Sequence, residues 1–187
     1  MIGTSRNRIA AGSIFLLLGL AACSDDGTGP DDNNEQGTFS ATLSGPQSAS
    51  ISGFAWQSGS IVDPSTNEQA WVLFLGTESV GGSFIYVLRR GNRPGTGSYS
   101  FVDLQGSGNL QDDQFGAVAN VTGSGGMAFT GFSTGGTFTI SSSSDQRVQG
   151  TFSIQLSGFD PATQQEVTAT MSGSFNAIAN TFAFPGI

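Results

Sequence analysis

Few side chains in this chain could do chemistry, and their types set the first limits. There is one cysteine, Cys23, there is no histidine, and all six basic residues are arginine. A Ser-His-Asp or Cys-His arrangement is therefore excluded. So are a lysine Schiff base and the lysine of a phosphate-binding loop. A zinc or copper site of the usual nitrogen and sulfur ligands lacks its donors. Carboxylate chemistry, an arginine-based anion site and oxygen-ligated calcium are what the composition leaves.

Three sets of residues answer to that remainder. Glu68, Glu78 and Glu166 are the glutamates that would pair across a glycosidic bond, a job needing carboxyl groups about 5–9.5 Å apart. Glu68 and Glu166 fall at expected hairpin tips, which places them on the surface rather than in a cleft. Arg89, Arg90 and Arg93 follow an apolar run, and three guanidinium groups suit bidentate contact with a carboxylate, phosphate or sulfate. The plainer reading is a strand end kept soluble by charge and paired with nearby acids. Trp56 and Trp71 would stack on sugar rings if exposed, although burial in a β core is the plainer fate of a tryptophan. Asp112-Asp113 reads as a solvated turn. We assign no catalytic residue, no metal site and no cofactor.

Cys23 takes its meaning from what precedes it. Arg6 and Arg8 are the charges of the first 24 residues, and 9–22 is uncharged and mostly apolar. That run has fourteen residues, short of the ~20 that a spanning helix needs. A basic start, a short apolar stretch and small residues at its end make 1–22 a signal peptide. Leu20-Ala21-Ala22-Cys23 resembles the lipobox of bacterial lipoproteins. The resemblance implies diacylglycerol on the Cys23 thiol, cleavage before Cys23 and an acylated new amino group. Several acyl chains meet the requirement of two membrane signals for stable anchoring. The Asp that retains enteric lipoproteins at the inner membrane is here Ser24. Ser24-Asp25-Asp26 resembles the surface-export signal of lipoproteins in the Bacteroidetes, which implies the outer membrane and its exposed face.

The chain that begins at Cys23 holds four arginines against fourteen acids, a net charge of −10. Such a surface repels phosphate backbones, which argues against nucleic acid and against lying flat on anionic lipid. Residues 24–37 carry five acids, no base and no aliphatic or aromatic side chain. They cannot bury apolar surface and read as a tether from lipid to domain. Calcium binding is the functional alternative for this Asp- and Asn-rich tract, but the ligand spacing of an EF-hand loop is missing.

From residue 38 to 187 the pattern is that of strands. Phe138 and Ile140 alternate with threonines, and Val148, Phe152, Ile154 and Leu156 share one side, as do Val167, Ala169, Met171 and Phe175. Ten strands fit, near 38–43, 49–57, 69–76, 83–90, 97–104, 114–121, 127–132, 136–143, 147–157 and 166–176. Short connections make neighbours antiparallel. "DPSTNEQ" at 63–69 and "DPATQQE" at 160–166 read as hairpin tips with Asp and Pro in turn positions. "WVLFL" at 71–75 and "FIYVL" at 84–88 are apolar on both faces. One face should meet the core, and the other a loop, a terminal segment, a ligand or a partner.

The motifs "SGFAWQS" (52–58), "RPGTGSYSF" (93–101), "GGTFTISSSSDQRVQGTFSIQL" (135–156) and "TATMSGSF" (168–175) occur in an order that resembles an uncharacterised family of all-β lipoproteins from environmental and Bacteroidetes-like bacteria. The resemblance implies a fold and no activity. The expectation is an all-β domain, an antiparallel β-sandwich of about ten strands, with a closed up-and-down or lipocalin-like β-barrel as the alternative. The expected role is that of a lipid-anchored binding or structural module at the outer membrane, joined to the membrane through Cys23 and meeting a protein or glycan. A carrier of small apolar ligands and a carboxylate-dependent hydrolase are the rival readings. An interior cavity of ~300 Å³ or more would favour the carrier.

Overall fold

The computed structural model describes residues 36–45, 48–58, 61–62, 69–77, 82–107, 110–123, 126–160 and 163–180. Residues 1–22, expected to be a signal peptide, Cys23, the acidic tract to residue 35, Glu68, Glu78 and residues 63–68, expected to be a turn, lie outside the described residues. Within them the chain forms β1 (Thr38–Ser44), β2 (Ala49–Gln57), β3 (Ile61–Val62), β4 (Gln69–Gly76), β5 (Phe84–Arg90), β6 (Gly97–Ser100), a single helical turn α1 (Leu104–Ser107), β7 (Phe115–Gly123), β8 (Gly126–Ser143), β9 (Arg147–Asp160) and β10 (Gln165–Ala179).

Alternation decides which face of each strand goes inward. On β1, Phe39, Ala41 and Leu43 are buried while Thr38, Ser40, Thr42 and Ser44 are exposed, as a side-chain period of two requires. The ten strands form one sheet whose neighbours are antiparallel, as expected, save for a two-residue parallel contact between β10 and β2.

The pairings run in a ring: β1, β2, β4, β5, β7, β8, β9, β10 and back to β1. β3 pairs with the start of β4, and β6 pairs with β8. One row of cross-strand partners shows the stagger. It runs Ile178, Trp56, Phe74, Tyr86, Val118, Phe132, Ser157 and returns to β10 at Thr168, ten residues before its start. A stagger of this kind accompanies tilted strands in a closed sheet. The interior is filled from both walls, as in a sandwich. Trp71 on β4 lies 6.5 Å from Phe115 on β7 and 6.3 Å from Phe138 on β8, and Phe138 stacks on Phe175 of β10 at 5.4 Å, centroid to centroid.

Three expected strands came out otherwise. Residues 127–132 and 136–143 are halves of β8, which stays in the ladder by bulging between Ser133 and Gly135. The bulge lets the strand bend, so its first half pairs with β7 and its second with β6. The Ser133 hydroxyl stitches the bend by accepting from Ala117 N at 3.0 Å and donating to Val102 O at 2.8 Å. The strand expected over 97–104 stops at Ser100. Asp103 Oδ1 accepts from the backbone N–H groups of Gln105 and Gly106 at 2.9 and 3.0 Å, capping α1 instead of extending the ladder.

Candidate functional site

The two doubly apolar segments are where the ring departs from an apolar-in, polar-out pattern. On β4 and β5, Trp71, Leu73, Leu75, Ile85 and Val87 point inward and are fully buried. Phe74, Phe84 and Tyr86 point outward and are half-buried, as are Phe54 and Trp56 on β2. The five outer rings touch one another around Phe74. Its centroid lies 4.9 Å from Trp56, 4.7 Å from Tyr86, 5.7 Å from Phe54 and 6.4 Å from Phe84, and Phe84 meets Tyr86 edge-on at 5.2 Å.

Local sequence makes room for this cluster. Gly76 sits between Phe54 and Phe84 in the cross-strand register. A Cβ there would come within 2.5 Å of the Phe74 ring and 3.1 Å of Phe54, so glycine lets the rings close over the backbone. Beside the cluster a groove of about 450 Å³ is lined by Gln36, Gly37, Phe54, Ala55, Trp56, Phe74, Ile178 and Asn180. Gly37 O accepts from Ala55 N at 2.8 Å and Asn180 N donates to Gln57 O at 2.9 Å. Both ends of the described chain are thus tied down at the groove. Burial among these rings pushes the Tyr86 phenol above its usual pKa of 10.0, because the phenolate loses solvation. Beyond Tyr86 the outer row continues through Val118 to Phe132, which is 41% exposed, and Phe159 nearby is 50% exposed.

The structure separates the two tryptophans. Trp56 belongs to the outer cluster, whereas Trp71 has no exposed surface and its Nε1–H donates to Gln57 Oε1 at 2.8 Å. The three arginines do not converge on a shared space. Arg89 donates to Asp113 and to Asn92 O and lies over the Phe115 ring, Arg90 Nε meets Asp112 Oδ1 at 2.9 Å, and Arg93 donates to Asp145. Asp112 and Asp113 form a turn that faces the end of β5, with Asp113 at φ 66°. Glu166 accepts from Ser157 Oγ at 2.7 Å across the β9–β10 ladder. Asp160 Oδ1 accepts from Thr163 N at 3.4 Å in the turn expected at 160–166.

Farther along the same strands, beside the aromatic groove, the outer surface of β1, β2 and β10 is hydroxylic. A second groove, of about 380 Å³, runs among Ser40, Thr42, Ser50, Ser52, Ser172 and Ser174. Sequence reasoning singled out Trp56 by residue and Phe74, Phe84 and Tyr86 only within runs apolar on both faces; it passed over Phe54 and did not bring the five together. The signal was present as aromatic residues at i and i+2 on two strands, Phe54 with Trp56 and Phe84 with Tyr86, flanking a strand with Phe74 in register. No protein-family model matches the chain, and no curated protein or solved structure matches it either.

Proposed function

We propose that this protein is a lipid-anchored β-domain of the bacterial outer membrane or cell surface, acting by contact rather than by catalysis, with the aromatic outer face of β2, β4 and β5 as its contact surface. The observation that carries the contact surface is the cluster of five half-exposed rings around Phe74. Stacked apolar rings left at a protein surface cost hydration free energy unless something meets them. The interior, filled by Trp71, Phe115 and Phe138, favours this reading over that of a carrier enclosing its ligand. The engagement of Glu166 with a neighbouring serine favours it over a paired-carboxylate hydrolase. The anchor rests on the resemblance of Leu20-Ala21-Ala22-Cys23 to a lipobox.

Cys23→Ala is expected to stop processing and to move the protein out of the lipid-modified fraction. Mass spectrometry of the mature N-terminus decides it. Acylated Cys23 as the first residue supports the reading, and an unmodified thiol or a different start overturns it.

A further inference from the structure

We infer that the aromatic side of the barrel, centred on Trp56, Phe74 and Tyr86, rests against the headgroup–acyl boundary of the bilayer that holds Cys23, so that the partner of this surface is lipid. The inference rests on the anchored reading above and names what the contact surface meets.

Three observations carry it. The first is the path of the chain. Gln36 and Gly37 line the groove beside Trp56 and Phe74, so the described chain begins at this groove. Thirteen residues from Cys23 to Gln36 span at most about 45 Å at 3.3–3.6 Å each. A tether this short gives the domain an effective concentration at the bilayer in the range of about millimolar. A modest apolar contact is then enough to fix which side faces the membrane.

The second is charge. Among the described residues of β2, β4 and β7 there is no charged side chain, and on β5 charge begins only at Arg89. The acids that make the domain strongly negative, such as Asp103, Asp145 and Asp160, lie on other elements. β1 and β8 carry no charge either; on the aromatic strands no carboxylate opposes lipid, and attachment there needs no basic patch.

The third is the chemistry of the rings. Tryptophan and tyrosine have apolar bodies with one polar edge, and they concentrate at the membrane–water boundary for that reason. The adjoining surface of β1 and β10, with Ser40, Thr42, Ser172 and Ser174 outward, suits water. The outer surface thus changes from hydroxylic to apolar along β2, from Ser50 and Ser52 to Phe54 and Trp56, with Gln36 at the apolar end.

Tryptophan emission reads this directly, because the chain has two tryptophans and one of them is sealed in the core. The full chain is placed through its own anchor in phosphatidylcholine vesicles whose acyl chains carry bromine high in the chain, where it quenches indole on contact. We expect emission to fall by up to about half relative to unbrominated vesicles, because one of the two indoles sits at the boundary. Trp56→Phe should abolish the loss. Phe74→Ser combined with Tyr86→Ser should reduce it while the chain still floats with the vesicles. A chain that floats but shows equal emission in both vesicles overturns the inference and leaves the anchor standing. If Trp56 in that chain is also shielded from acrylamide, the occupant is residues 181–187 or a second copy, and the inference falls equally. A chain that fails to float overturns both readings.

Discussion

Gln57 ends β2 with its amide turned toward the aromatic interior. Its Oε1 accepts from Trp71 Nε1, and its Nε2 donates to Ser144 O and Asp145 O at 3.3 Å in the β8–β9 turn. One side chain therefore satisfies the indole N–H and ties two distant elements together. Gln57→Ala leaves a buried donor without its partner, which costs about 1–3 kcal/mol. Urea melts should show a lower midpoint at unchanged slope, and an unchanged midpoint would mean water replaces the amide. Tyr86 gives a pH-dependent counterpart. An unfolded phenol ionises near 10, while in the fold desolvation holds its pKa higher. Between the two values the native state keeps a proton that the unfolded state has shed, so stability is whole below about pH 10 and falls as pH rises through the folded value. Tyr86→Phe should remove that part of the alkaline loss, read as the difference between denaturant midpoints at neutral and alkaline pH.

Adjacent positions on β4 make the two faces of the sheet separable by experiment. Leu73 is fully buried within the ring, and Phe74 is half-exposed on the outside. Leu73→Asp places an unpaired charge in the core and should exceed ~4 kcal/mol, losing the cooperative transition. Phe74→Asp can keep its charge in water and should leave a folded domain, destabilised by about 1–3 kcal/mol through lost ring contacts. Near-UV circular dichroism distinguishes them, and equal damage from both would mean the outer face is as sealed as the inner. Gly136 is a second element-scale test. Its φ is +120°, and a Cβ would lie 2.1 Å from Ser153 O. Gly136→Ala should cost about 1–3 kcal/mol from backbone strain alone, with more from the collision. How much of this was legible depends on how local the cause was. β2 and β4 appear at the expected bounds 49–57 and 69–76, because composition and turn residues there point the same way. The continuity of β8 was not legible, since Thr134-Gly135-Gly136 reads as a break until Ser133 is seen bonding two other segments. The α1 turn hung on one carboxylate, Asp103, folding back on its own backbone. For the site, Trp56 was visible as a residue type, and the doubly apolar runs announced a second covered face. That Phe54, Trp56, Phe74, Phe84 and Tyr86 meet depends on the registers of β2 with β4 and β4 with β5, which spacing along one strand does not encode.

The molecule as a whole is held by pairings between segments far apart in sequence. β1 is bonded to β10 along its entire length, from Thr38↔Asn176 to Ser44↔Thr170. Non-local β topologies fold in roughly milliseconds to seconds, and the domain should show one cooperative transition with slow refolding in stopped-flow measurements. Removing residues 165–187 should leave no folded core, because β10 is the common neighbour of β1, β2 and β9. A folded product would mean the ring is dispensable. The same adjacency has a temporal consequence. A chain delivered from its N-terminus, by a ribosome or through a pore, presents β1 first and β10 last. The seam between them is unavailable until the final strand emerges, so the first strand waits with one edge open. For a chain that crosses a membrane unfolded, as the proposed anchoring requires, the order of the strands itself delays closure of the ring.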